Sequence, residues 1–582
     1  MKLRTAVIGL GVAVFAGTAA GQSCTIVPTT PDHERNPFAF NVTNSDAEIA
    51  VGHTCILTCS NAYLRLLDKS GQLLSTPGQA RMADYDDPTS TDPAFFAVEH
   101  PSNTREHAHI ADPVVYYDQE HHRFWVVAIE WKEKNIISFP LPFNYAHVQI
   151  AVSTTDTPAN WMNINNTNNT TGNPSGHWYK YDFCLWEENG NCSNLHGVGH
   201  NQTIYVDDDT LYIAFLDDEG TTNVKSTTLM MVDKDTLMNG TATQTDAQFI
   251  QLKNIDDTWG HALAVEYDAW NNTDPVYTIV PEINSQIAFG FQDTLTLGAI
   301  TKSSTLPHTY AYESTPVTGG LLPEWFNTRT NAASNGVTLP TGTQGVTSRS
   351  ILHATYRSDP IVGGRLWTCH SVWPVDPNSV AEPVPLEERV VRWYEIHTNG
   401  WPMDPNATPL VAQVGEIALP GGDAYDPSIA VNAFKDVVLT WTEGSPTMNQ
   451  TFRMGVHQAG DPAGVLGTTW TIGASQTSNY LNPADYSGTN VDPANWCQFW
   501  GHSTLGASNQ DWETYVARVC MPLCPFDCYA DQDDDGDLDV MDPVTFANYY
   551  NANDPSADCD GNGVVDTFDV LCFDALFQAG CP

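Results

Sequence analysis

The chain has 582 residues, with 69 Asp and Glu against 24 Lys and Arg and a formal net charge of −45 at pH 7. So acidic a surface repels phosphate backbones and excludes nucleic acid as a general partner; otherwise the charge reads as solubility or a saline habitat. Thirteen cysteines fit an oxidising compartment, and the length allows a large core and more than one domain.

Residues 1–21 carry Lys2 and Arg4, an apolar run from Ala6 to Ala16 and the small residues Thr18, Ala19, Ala20 and Gly21. This is the pattern of a signal peptide, so the mature chain is expected to be secreted or displayed at the cell surface. No other run approaches 18 apolar residues, so no membrane span is expected. The close pairs Cys55/Cys59 and Cys184/Cys192, and the group Cys520, Cys524, Cys528, Cys559, Cys572 and Cys581, are disulfide candidates, with the odd count leaving one thiol over.

Between residues 40 and 520, short runs rich in Val, Ile, Tyr, Trp and Phe alternate with Asp, Asn and Gly turns, and long amphipathic helices are absent. Units such as "DPVVYYDQEHHRFWVVAIEW" (112–131), "GHNQTIYVDDDTLYIAFLDD" (199–218) and "DPSIAVNAFKDVVLTWTEG" (426–444) share one template of strand, turn and strand. Their spacing predicts a mainly β chain, with residues 22–520 forming a β-propeller of about seven four-stranded blades. Six or eight blades and a two-domain β arrangement stay open. The last unit (500–519) is short of strands, so the segment near residues 24–42 is expected to complete it and close the ring.

These blades resemble a family of exported bacterial propellers with sialidase-like architecture, and "TTDTPANW" (154–161) is similar to the Asp-box hairpin of such blades, with Pro158 where a Gly is usual. The resemblance implies the fold and no particular activity, because propellers host many unrelated functions. A sialidase would also need an arginine triad, and Arg65 and Arg81 lack that context. No nucleophile elbow, phosphate loop or dinucleotide fingerprint is present.

His200, His261 and His502 each follow a Gly; His353 has a similar place before an inner strand, and Asp112 and Asp426 hold the comparable position in two other units. If inner strands start there, these side chains gather at one mouth of the channel, where a metal or an acidic ligand could be held. The alternative is that each caps its own blade. "EHAHIAD" (106–112) offers a weaker metal-like cluster.

From about residue 521 the composition changes: no Lys or Arg follows, and Asp dominates. "DQDDDGDLDVMD" (531–542) is repeated 27 residues later by "DCDGNGVVDTFD" (558–569). Asp531, Asp533, Asp535, Asp539 and Asp542 occupy positions 1, 3, 5, 9 and 12 of one loop, with Gly536 at position 6 and the carbonyl of Asp537 available at position 7. Asp558, Asp560, Asn562, Asp566 and Asp569 repeat this, with Gly563 at the turn and Val564 offering its carbonyl. Such spacing wraps hard oxygens around Ca²⁺ in the EF-hand manner, so two calcium ions are expected. Each loop leads into one apolar helical run, 544–550 and 570–577. Loop-then-helix in duplicate, with Asp at position 12, resembles a type I dockerin module, and the cysteines bring it nearest to the dockerin-like C-termini of planctomycete secreted proteins. That resemblance implies docking of residues 521–582 onto a cohesin-like receptor through Val540, Met541, Thr567 and Phe568. The functional expectation is a propeller that binds a glycan or protein ligand, tethered by this tail; the alternative is a glycoside hydrolase or polysaccharide lyase carried by it.

Overall fold

The computed structural model describes residues 32–35, 46–61, 63–74, 78–83, 93–96, 107–133, 143–164, 175–185, 187–188, 191–192, 199–218, 225–254, 262–266, 275–283, 291–319, 325–326, 351–358, 364–376, 388–445, 447–458, 461–475, 487–506, 511–521, 530, 532, 540–552, 557, 559 and 564–579. The expected signal peptide lies outside them.

Most of the sheets are up-and-down antiparallel runs of strands consecutive in sequence; Ala262–Val265 pairs in parallel with His353–Arg357 and joins two such runs, and Gln79–Ala83 pairs in parallel with Ala94–Phe96. Their innermost strands are Glu48–Val51, His107–Asp118, Gly199–Val206, Ala262–Val265, His353–Arg357, Asp423–Val431 and Gly488–Asp492. Each innermost strand packs beside the next in that order, and Gly488–Asp492 returns to Glu48–Val51. The sheets therefore close on themselves around a central channel, which is the β-propeller arrangement. Closure uses both ends of the region: Asp32–Arg35 pairs antiparallel with Asp511–Cys520 and so completes the sheet that begins at Gly488.

The physical driver is two-sided burial. Along Asp423–Val431 and Val437–Ser445 every residue is buried, because a blade packs a neighbour on each face. Trp125, Trp178, Trp367, Trp393, Trp441 and Trp500 are almost wholly enclosed and fill the wedges between sheets, and burying each large side chain contributes roughly 2–3 kcal/mol. The Asp-box-like stretch lies between strands Phe143–Ser153 and Trp178–Cys184, where buried Trp161 stacks on Trp178 at 6.1 Å.

Two innermost strands carry a bulge at an Asp-Pro step. Register shifts fall between Ala111 and Val114 and between Tyr425 and Ser428, and Asp112 and Asp426 both have φ of 49°. Proline has no N–H for the ladder, and aspartate tolerates the left-handed region better than most side chains, so Asp-Pro suits a bulge here. The bulges are stitched to neighbouring sheets: Asp112 N–H donates to Asn61 Oδ1 at 2.8 Å, Asp426 N–H to Ser371 Oγ at 3.1 Å, and Ser487 Oγ to the Asp426 carbonyl at 2.7 Å.

One cysteine expectation is corrected. Cys55 and Cys59 are buried at the ends of one strand, and neither is in a disulfide. Four residues of strand span about 13 Å, well beyond the ~7 Å Cα limit of a disulfide. Cys184, Cys497 and Cys520 are disulfide-bonded, and Cys559 is bonded to Cys572 with Cα atoms 5.9 Å apart.

The C-terminal segment contains helices Met541–Ala552 and Thr567–Ala579, each about a turn longer at its start than the apolar pattern marks. Phe546 of one stacks on Phe573 of the other at 4.1 Å and 8°, with Ala530 and Ala557 enclosed beside them.

Candidate functional site

The central channel holds a cavity of about 70 Å³ whose polar lining includes Glu48, Asp112, Gln202, His353, Thr489 and Asn490. Among the described residues that line it there is no lysine or arginine. Glu48 opens one innermost strand and His353 another, and the two strands are not neighbours in the ring. Their contact, Glu48 Oε1 to His353 Nε2 at 3.3 Å, therefore reaches across the channel. Burial pushes the Glu48 carboxyl well above the usual carboxylate range, opposed by its hydrogen bond from the Ile49 backbone. Burial also pulls His353 down to about 4, leaving a neutral imidazole at pH 7.

His502 is fully enclosed, and its Nδ1 lies 3.0 Å from the Glu48 carbonyl. A carbonyl only accepts, so Nδ1 carries the proton; burial holds this imidazole down to about 3. It sits on Asn495–Gly506, one strand out from the channel, rather than on an innermost strand. It thus supports the backbone of Glu48 instead of facing the cavity. The side chain of His200 and the whole of His261 lie outside the described residues, though the His200 backbone is paired with Leu216 at the start of its strand. Asp112 lines the cavity, and Asp426 is buried at the equivalent bulge. Of the six sequence candidates, Asp112 and His353 are thus brought to one cavity.

Glu48, Gln202 and Asn490 carried no motif and were missed. Gln202 is 3 % exposed, and neither its amide oxygen nor its amide nitrogen makes a hydrogen bond. The usable signal was a polar residue opening an otherwise apolar innermost run, as in "AEIAV".

Two acidic groups among the described residues, both away from the channel cavity's lining, bring three ligand-type atoms together, Asp118/Glu120/His121 and Asp207/Asp208/Asp209. In each, a lysine supplies the cation. Lys234 Nζ lies 2.9 Å from Asp118 and 3.2 Å from Glu120, and Lys302 Nζ lies 2.8, 2.8 and 2.6 Å from Asp207, Asp208 and Asp209.

In the C-terminal segment the loop residues Asp531, Asp533, Asp535, Asp537, Asp539, Asp558, Asp560 and Asn562 lie outside the described residues. The two position-12 aspartates are described, and both Asp542 and Asp569 are fully buried. Asp542 Oδ1 accepts from Gln532 N–H at 2.7 Å, and Asp569 Oδ2 from Asp566 N–H at 2.6 Å. Nearby apolar side chains stay in water: Val540 is 71 % exposed, Met541 48 % and Phe568 67 %.

No known family model matches the chain, and no curated protein does. Solved structures resemble it only weakly. A Hadza microbial sialidase, Hz136, is 8 % identical over 79 % of this chain and 73 % of its own, with a TM-score of 0.33. An ulvan lyase of a new polysaccharide lyase family, PL25, is 11 % identical over 67 % of this chain and 77 % of its own, with a TM-score of 0.30. The GH43_1 enzyme of Xanthomonas citri is 9 % identical over 55 % of this chain and 87 % of its own, with a TM-score of 0.26. At these values the likenesses carry no argument about activity.

Proposed function

We propose that this chain is an exported seven-bladed propeller that binds a glycan, tethered to a cohesin-like receptor protein by a dockerin-like tail folded around two calcium ions. The observation that carries the tether is the pair Asp542 and Asp569, both fully buried in a segment with no lysine or arginine after Arg518. Burying a carboxylate is costly unless its oxygens are satisfied, and the spacing of the acids ahead of each one suits Ca²⁺. The duplicated exposed residues Val540, Met541, Thr567 and Phe568 are the docking face, because soluble surfaces seldom leave such side chains uncovered. The seven innermost strands that follow one another around the ring support seven blades.

For the propeller, the carboxyl, amide and hydroxyl groups of the described channel lining suit a hydroxyl-rich ligand. Glu48 beside His353 favours a second reading, a polysaccharide hydrolase or lyase carried by the same tail. A carboxyl raised by burial facing an imidazole across the channel sets a proton donor beside an acceptor. The deciding experiment screens the full chain in calcium against a glycan panel for binding and for cleavage. Binding without turnover is expected, whereas turnover abolished by Glu48→Gln would establish the enzyme. Neither binding nor turnover on any glycan would overturn the glycan reading.

A further inference from the structure

The innermost strand Gly199–Val206 breaks its ladder with Thr210–Asp218 between His200 and Thr203, and Gln202 stands in that break. A bulge re-aims the side chain it carries, and such breaks are over-represented next to functional sites. Here Gln202 is brought to the channel cavity. Its amide is 3 % exposed, and neither the oxygen nor the nitrogen makes a hydrogen bond. On the same lining the buried Nε2 of His353 makes none either. Buried polar side chains in folded proteins are satisfied in the large majority of cases. Two such groups on one cavity point to a ligand that supplies their partners.

The chemistry of the lining says which ligand. A glutamine amide sets a donor nitrogen beside an acceptor oxygen. Two hydroxyls on neighbouring carbons match that pair, one accepting from the nitrogen and the other donating to the oxygen. Glu48 and Asp112 add carboxyl oxygens to the lining, which accept from further hydroxyls, while Ile204, Leu263 and Ile429 offer apolar wall to the C–H groups of a sugar ring. The cavity of about 70 Å³ takes roughly five waters, the room of one sugar ring and not of a chain. Its walls are innermost strands of a closed ring, so there is no lateral slot and a polymer enters only by its end.

We propose, on the glycan reading above, that the channel takes the terminal sugar of a glycan end-on, with Gln202 holding a vicinal diol of that sugar through both ends of its amide. Glu48 and Asp112 accept from its other hydroxyls, and His353 Nε2 finds its partner in the same sugar. A glycan held by an internal segment instead lies across the mouth and leaves Gln202 untouched.

The test uses the full-length protein in calcium, followed by saturation-transfer NMR and calorimetry. Its probes are the methyl glycosides and linear trisaccharides of glucose, galactose, mannose, xylose and arabinose, with singly deoxygenated forms of the terminal sugar. Removing either of two adjacent hydroxyls from the sugar that binds should weaken it about tenfold or more. Gln202→Leu should weaken the parent sugar by a similar factor and make both deoxygenations nearly neutral. The same variant should raise the thermal midpoint of the ligand-free protein, since an apolar side chain of similar size replaces an unsatisfied amide. If Gln202→Leu does not fold, Gln202→Met gives the same readout. Glycan binding that Gln202→Leu leaves undiminished, or that ignores every deoxygenation of the terminal sugar, overturns the channel assignment while glycan recognition stands. No binding of any glycan overturns both.

Discussion

In the ring, the carboxylates of Asp207, Asp208 and Asp209 close around the ammonium of Lys302; in the C-terminal segment, Asp542 and Asp569 are buried more completely, and no lysine or arginine follows Arg518. Burial pulls Lys302 down, but the three carboxylates outweigh it and hold the ammonium above the ordinary lysine range. His308 braces the far side through its 2.8 Å contact with Asp209. The ring thus carries its own counter-charges, as it does again at Arg389–Asp423 and Arg392–Glu416. Its folding needs no outside ion for these groups. The tail has no lysine or arginine after Arg518, and on the proposed calcium reading its folding would be tied to solution conditions.

The strongest way to break this comparison is to remove calcium. With chelator, backbone hydrogen exchange across 541–552 and 567–579 should become fast while the ring strands keep their protection. At free calcium a thousandfold above its Kd the ion contributes about 4 kcal/mol to the folded tail. Exchange in both helices that ignores the chelator would show that the tail does not need the ion.

The converse test removes the ring's own cation. Lys302→Met should lower stability by about 3 kcal/mol at pH 7, because three clustered carboxylates lose their partner. The sign with pH follows from Asp209. Burial raises its pKa, but hydrogen bonds led by that from Lys302 hold it below the ordinary value. Its contribution is therefore present above about pH 4 and lost as pH falls further. In the variant, protonation relieves repulsion instead, so the gap to wild type in urea midpoint should narrow between pH 7 and pH 4. A constant gap would mean that the lysine acts by packing alone.

A smaller effect sharpens the contrast on the ring's side. Burial pulls His502 down to about 3, and burial with Arg392 nearby pulls His370 to about 3. Folded pKa values depressed in this way give stability that is full above the unfolded value near 6.5 and fades as pH falls, up to about 2 kcal/mol per histidine between pH 7 and pH 5. His370→Phe should flatten the ring's stability profile in that window at the cost of the 2.9 Å contact with Tyr394. An unchanged slope would place the acid sensitivity elsewhere.

The smallest effect belongs to the tail surface. Replacing Val540, Met541, Thr567 and Phe568 by Ser should change calcium-loaded stability by less than about 0.5 kcal/mol per site. Binding to a cohesin-like receptor should nonetheless fall sharply in surface plasmon resonance. Unimpaired docking would move the interface off this face.

The sequence by itself determined the mainly β character of residues 40–520 and the duplicated acid–glycine loops of the tail, because these are local patterns. Period-two apolar runs between Asp and Gly turns become strands whatever surrounds them, and a repeat offset of 27 residues is visible in one line of text. Cys55 and Cys59 mark the limit of that reasoning: near in sequence, they are held apart by the strand that carries them. Only the tertiary structure decided what the channel contains. Glu48, Gln202 and His353 come from innermost strands far apart in the chain and share no spacing. They meet because Asp32–Arg35 and Asp511–Cys520 close the ring. His502 shows the same dependence, since its Gly-His step resembles those of innermost strands, yet pairing with Gly488 and Val516 places it one strand out. Which polar residue faces the cavity is set by bulges and by the order of sheets around the ring, and neither has a signature in local periodicity.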